Sequence, residues 1–97
     1  MSELARVDDI PVEGGLRVEV DGQEIALFKV GEQVYAIDAV CPHAGGPLDE
    51  GTVENGVVTC PWHGWQTDVR GGKCITSGEE ITCFAVEVRE GVVHLKD

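Results

Sequence analysis

Four side chains in this 97-residue chain have the types and spacing to hold a metal. Cys41-Pro42-His43 opens one stretch rich in Gly and Pro, and Cys60-Pro61-Trp62-His63 opens a second, with 16 residues between His43 and Cys60. Each stretch offers one thiolate and one imidazole. Two soft sulfur ligands with two borderline nitrogens suit zinc or an iron–sulfur centre. Gly45, Gly46 and Gly64 let backbone amides approach a bound group, while the prolines fix the loops and remove amides that would need partners. Zinc fingers usually open with two closely spaced cysteines and gather their histidines on a helix. Here Cys and His alternate across two stretches, and no window has a helical period. A plant-type four-cysteine cluster needs tightly spaced cysteines, and no two of Cys41, Cys60, Cys74 and Cys83 lie within four positions of each other.

Other chemistry-bearing residues read as bystanders. Cys74 and Cys83 are expected to be buried small hydrophobes. His94 falls in a valine-rich closing strand and reads as a structural histidine, while Trp62 and Trp65 are expected to pack around the two loops.

The elements that must position the loops are strands. From Leu16 to Val20 apolar and charged residues alternate, the period of a half-buried strand. Asp21-Gly22 is a two-residue hairpin signal, after which Gln23–Val30 returns; Gly31-Glu32 then turns into Gln33–Asp38. Asn55-Gly56 closes a second hairpin between Thr52-Val53 and Val57–Cys60, and Glu90-Gly91 a third between Thr82–Arg89 and Val92–Leu95. The stretches Cys41–Glu50 and Pro61–Gly72 do not alternate and read as irregular loops, brought together at one end because their flanking strands pair. The chain is therefore expected to be all-β, a small barrel or sandwich.

Composition agrees. Val outnumbers Leu 15 to 5 among the apolar residues, and 13 Gly punctuate them, which favours strands and tight turns over helices. Ninety-seven residues suffice for one modest core, so a metal centre would contribute a large share of stability. Eighteen Asp and Glu against seven Lys and Arg give a formal net charge of -11. That balance excludes a nucleic-acid partner and disfavours an anionic membrane surface. Asp49, Glu50 and Glu54, close to the loops in sequence, are candidates for steering a basic protein partner. No apolar run approaches a membrane span and no leader pattern opens the chain, so a cytoplasmic location is expected. In that compartment four cysteines suggest metal or redox chemistry before disulfides.

The motifs Cys-Pro-His-x-Gly-Gly-Pro-Leu at Cys41–Leu48 and Cys-Pro-Trp-His-Gly-Trp at Cys60–Trp65 resemble those of the Rieske [2Fe–2S] family, and the resemblance spans nearly the whole chain. It implies one [2Fe–2S] cluster, with Cys41 and Cys60 on one iron and the Nδ1 atoms of His43 and His63 on the other. It also implies a β base domain, here 1–38 and 73–97, carrying an inserted cluster-binding unit, here 39–72, within a single domain of 1–97. The implied function is one-electron carriage by a non-catalytic ferredoxin, from a flavin-containing reductase to an aromatic-ring-hydroxylating terminal oxygenase. The alternatives are a small Rieske-like subunit of an NADH-dependent nitrite reductase and a zinc-stabilised interaction module. The electronic logic is simple: two ferric ions and two sulfides carry a net double positive charge, which two thiolates neutralise. Reduction then creates a single negative charge, easier than charging a four-thiolate site further. The sequence departs from the family pattern in carrying Thr67 where Phe usually precedes the Asp, here Asp68, and in lacking a proline near Thr76-Ser77-Gly78. High-potential members add a cysteine to each loop and a serine after the second His-Gly. This chain has Gly46, Trp62 and Trp65 at those positions, which implies a potential near the lower end of the family's range.

Overall fold

The alternation after Gly14 builds a four-stranded antiparallel sheet in the computed structural model, which describes residues 2–12, 14–31, 33–40, 47–62, 64–76 and 78–96, Ser2 by its backbone alone. Its strands are β2 (Gly15–Val20), β3 (Gln23–Val30), β4 (Gln33–Asp38) and β9 (Cys83–Phe84), in the order β2-β3-β4-β9. A second sheet inserts between β4 and β9: β5 (Thr52–Glu54), β6 (Val57–Thr59), β7 (Gln66–Asp68) and β8 (Lys73–Cys74), paired in chain order. A third joins the two ends of the chain, with β11 (Val92–Leu95) between β1 (Ser2–Arg6) and β10 (Val86–Arg89). The described residues contain no α-helix, so the all-β expectation holds.

Strand β3 explains why the three sheets stay together. Ile25, Ala26, Leu27 and Phe28 are all buried, whereas no residue of its neighbour β2 is. Successive side chains point to opposite faces of a sheet. Ile25 and Leu27, with Ala36 of β4, pack into a core with Ile10 and Val93. Ala26 and Phe28, with Ile37, pack into another with Leu48, Val53, Val58, Cys60 and Val69. The central sheet thus has one core against the terminal sheet and one against the inserted sheet.

All three expected hairpin turns form, with left-handed backbone at both central residues: Asp21 and Gly22, Asn55 and Gly56, Glu90 and Gly91. Three features differ from the sequence expectation. Strand β1 has no clean alternation and owes its place to pairing with β11. Strand β7 falls inside the stretch expected to be irregular and forms because β6 offers a partner edge, and β8 follows directly on the edge of β7. The run Thr82–Arg89 is not one strand. It breaks at Ala85, Cys83–Phe84 pairing with β4 and Val86–Arg89 with β11, so the chain changes sheets midway.

Candidate metal centre

The residues on either side of 41–46 form a closed base. Val40 and Pro47 form an isolated antiparallel bridge, and the Leu48 N–H donates to the Ala39 carbonyl at 2.8 Å. The Ala39 N–H in turn donates to the Glu24 carbonyl at 3.1 Å, and the Val40 N–H to the Asp38 carboxylate at 3.0 Å. Both departures from this loop are therefore fixed to β3 and β4. Leu48 is fully buried and opens a 3-10 turn, Leu48–Glu50, that ends where the Gly51 N–H donates to the Leu48 carbonyl. Cys41 and His43, the two expected ligands of this loop, lie outside the described residues, as do Gly45 and Gly46.

The second loop hangs between β6 and β7. The Cys60 N–H donates to the Trp65 carbonyl at 2.7 Å, and the Gly64 N–H to the Cys60 carbonyl at 3.0 Å. Gly64 adopts φ +70 with open space around its missing Cβ, so its turn conformation is what requires glycine. Cys60 is 1% exposed and its thiol is free of any disulfide. His63 lies outside the described residues. Trp65 packs against the same core as Cys60. Trp62 does not pack as expected: it is 58% exposed. Beyond Trp65, the Gln66 N–H donates to the Thr76 hydroxyl at 3.0 Å and the Ile75 N–H to the Gln66 carbonyl at 2.8 Å. The segment without a proline is thereby tied to the second loop through Thr76.

The two loop bases meet. Ala39 and Leu48 from the first and Cys60 from the second share one core, with Trp65 against it. At Gly51 the backbone comes so close to β6 that a Cβ would collide with the Thr59 carbonyl oxygen and lie 2.9 Å from a Val58 methyl. The buried free thiol of Cys60 stands at this junction, and the sequence between the described ends of the two loops supplies Cys41, His43 and His63, so the chemistry of the donor set is two sulfurs and two nitrogens. It fits a group held by two thiolates and two imidazoles. Among the described residues alone no three or more of His, Cys, Asp and Glu are arranged to hold a metal.

The remaining sequence candidates separate. Cys74 is buried as expected, on β8 in register with Thr67 of β7. Cys83 is not: the residue is exposed on the two-residue edge strand β9, although its sulfur tucks against Gly72 and lies 3.7 Å from the Ile81 carbonyl. Burial of that sulfur, helped by the nearby Glu80 charge, pushes its thiol pKa up. His94 is half-buried on β11, in register with Glu3 of β1 and Glu87 of β10. Thr67, standing where an aromatic residue was expected from the resemblance, is 1% exposed between Val58 and Cys74. Asp49 is not free to steer a partner, because it accepts from Arg17 Nε at 3.0 Å and its side chain is only 12% exposed. Glu50 and Glu54 remain exposed. Arg17 and Thr76 carry no motif; each sits among ordinary polar positions, and only the three-dimensional arrangement brings them to the loops.

Comparison with known proteins places these features in a family. The pattern described as Rieske [2Fe-2S] domain matches residues 1–86. The ferredoxin component of the naphthalene 1,2-dioxygenase/salicylate 5-hydroxylase systems of Ralstonia sp is 34% identical over 96 residues, covering 97% of this chain and 92% of that protein. A chain from the complex of reduced oxygenase and oxidised ferredoxin in carbazole 1,9a-dioxygenase superposes with a TM-score of 0.86 at 32% identity, over 96% of this chain and 89% of its own. The small subunit described as that of an NADH-dependent nitrite reductase from Mycobacterium tuberculosis superposes with a TM-score of 0.87 over 97% of this chain and 91% of its own. At 21% identity that last likeness concerns the fold alone.

Proposed function

Because the chain belongs to the Rieske [2Fe-2S] domain family, we propose that Cys41, His43, Cys60 and His63 hold its one cluster, the two cysteines on one iron and the two histidines on the other. When bound, the cluster supplies a reversible one-electron couple. The chain is an electron carrier rather than an enzyme, and its work is to hold that couple near a surface that partners can reach. Cys60 keeps its thiolate away from water on the core side. The closures at Val40–Pro47 and Cys60–Trp65 each fix the base of one loop, and the core shared by Ala39, Leu48 and Cys60 holds the two bases together. Trp62, exposed one position before His63, offers partners an apolar contact at this end.

The partners are a flavin-containing reductase that delivers the electron and a terminal oxygenase of the aromatic-ring-hydroxylating kind that accepts it. The observation that carries this choice over a nitrite reductase subunit is the near full-length 34% identity to a dioxygenase-system ferredoxin. We place the carrier in the cytoplasm; no described helix is long and apolar enough to cross a membrane. The division into a base of 1–38 and 73–97 with an inserted unit of 39–72 belongs to the same reading, although β8 (Lys73–Cys74) carries the inserted sheet two residues past that boundary.

Metal and acid-labile sulfide analysis of purified protein, with its visible spectrum, tests the cluster. About two irons and two sulfides per chain are expected for such a centre. His63→Ala removes one ligand and should lose both colour and stability, since metal binding is also folding energy. A His63→Ala protein with the full wild-type spectrum and melting point overturns the ligand assignment, and a colourless zinc protein overturns the cluster.

A further inference from the structure

Arg17 lies on β2, distant in sequence from both loops, yet it contacts the segment that leaves the first one. Its Nε donates to Asp49 at 3.0 Å, a second guanidinium nitrogen lies 2.9 Å from the same oxygen, and a third lies 2.9 Å from Glu24. Arg70 and Arg89 pair with carboxylates two positions away, whereas Arg17 reaches across 32 residues. The pair is partly sheltered, with side-chain exposures of 33% for Arg17 and 12% for Asp49. The hydrogen bond that Arg17 donates to Asp49 comes first in holding the guanidinium pKa above its ordinary value, with Glu24 adding to it against the cost of burial. Asp49 sits in the middle of the 3-10 turn whose first residue, the buried Leu48, anchors the first loop. Gly15, two positions before Arg17, brings β2 so close that a Cβ would lie 3.0 Å from the Asp49 Cα.

We propose that Arg17 is a positioning residue for the metal centre: it clamps the 3-10 turn to β2 and so fixes the end of the loop that carries Cys41 and His43. Removing it leaves Asp49 and Glu24 facing one another without a cation, in a chain already at -11. The sheltered Asp49 carboxylate then gains by moving toward water, and the turn moves with it. Its effect on the cluster rests on the cluster reading above; the clamp itself does not.

The test has one arm for each. Arg17→Gln and Asp49→Asn remove the same pair from opposite sides, so a folding failure of one leaves the other. Hydrogen exchange, with or without iron, should quicken about fivefold at the Leu48, Glu50 and Gly51 amides in either variant, while the β3–β4 ladder keeps its protection. In the iron-loaded protein, chelator bleaching should quicken by about the same factor, and the double variant should bleach no faster than the worse single one. Unchanged exchange at Leu48–Gly51 overturns the clamp, whether or not the protein binds iron. Faster exchange with wild-type bleaching in an iron-loaded protein overturns the positioning role and leaves Arg17 a stabiliser of the turn alone.

Discussion

Replacing Gly51 by Ala tests whether the contact between the two loop bases holds the centre together. Gly51 has φ -76 and ψ 172, which alanine adopts freely, so no backbone strain enters. The added methyl would collide with the Thr59 carbonyl oxygen, and would lie 2.9 Å from a Val58 methyl and 3.1 Å from the Thr59 carbonyl carbon. Two of these three atoms are backbone, held by β5–β6 pairing at Thr52↔Thr59, and cannot turn aside as a flexible side chain would. Overpacking of this kind costs about 2–3 kcal/mol, toward the upper end of its usual range. For a domain of this size that lowers the melting point by roughly 10–20 °C. The relief available is to part the 3-10 turn from β6, which separates Leu48 from Cys60, so iron content should fall as well. Gly22→Ala is the control: it sits at φ +82 with nothing near its missing Cβ, so it meets left-handed strain without a clash. It should cost about 1 kcal/mol, roughly 5 °C, and leave iron content unchanged. Calorimetry with iron analysis on both variants decides. A Gly51→Ala protein that melts within a few degrees of wild type with full iron refutes the reasoning.

Cys83→Ser should shift stability by no more than about 0.5 kcal/mol, whereas Cys74→Ser buries a hydroxyl in place of a thiol and should cost about 1–3 kcal/mol, read from denaturant midpoints. Although Cys83 is exposed, its raised pKa leaves little thiolate at neutral pH, so alkylation followed by mass spectrometry should be slower than for an unstructured cysteine peptide. The Arg70 backbone N–H, then its side chain, holds the Asp68 carboxyl below the ordinary carboxylate range despite some burial. Its stabilisation is therefore complete above that range and is lost only as pH falls through the lowered value. Asp68→Asn should accordingly melt lower by a gap that stays flat from about pH 6 to 8, set by roughly 0.2–1 kcal/mol for a pair this exposed. Protein-film voltammetry should place the potential near about -150 mV; a clearly positive value would contradict the reading of Gly46, Trp62 and Trp65.

Much of this was legible in the sequence because it depends on local chemistry. Asp21-Gly22, Asn55-Gly56 and Glu90-Gly91 announce their hairpins through residues that tolerate left-handed backbone, and each turn forms. The two Cys/His motifs are equally local and point to the family by themselves. Features that depend on distant partners were not legible. The exposure of Cys83 on a two-residue strand and the change of sheet at Ala85 follow from which edges remain free once the three sheets assemble. Asp49 reads as a surface acid beside a loop until β2 delivers Arg17 to it. Ionic contacts across 32 residues leave no periodic trace in either strand or turn.

The double burial of β3 gives its alignment an unusual safeguard. Most half-buried strands are checked on one side only, and a slip by one position exposes apolar groups to water on a single face. Here a slip would carry Ile25 and Leu27 into the space of Ala26 and Phe28 and the reverse, so small and large side chains would trade places in both cores at once. Each misalignment would be penalised twice, by a void where alanine took the place of isoleucine or leucine and by crowding where one of those took the place of alanine. The strand joining the loop-bearing half of the protein to the half closed by its two ends is thus proofread from both directions. Sequence drift at residues 25 to 28 should be tolerated only in ways that keep the size pattern on each side.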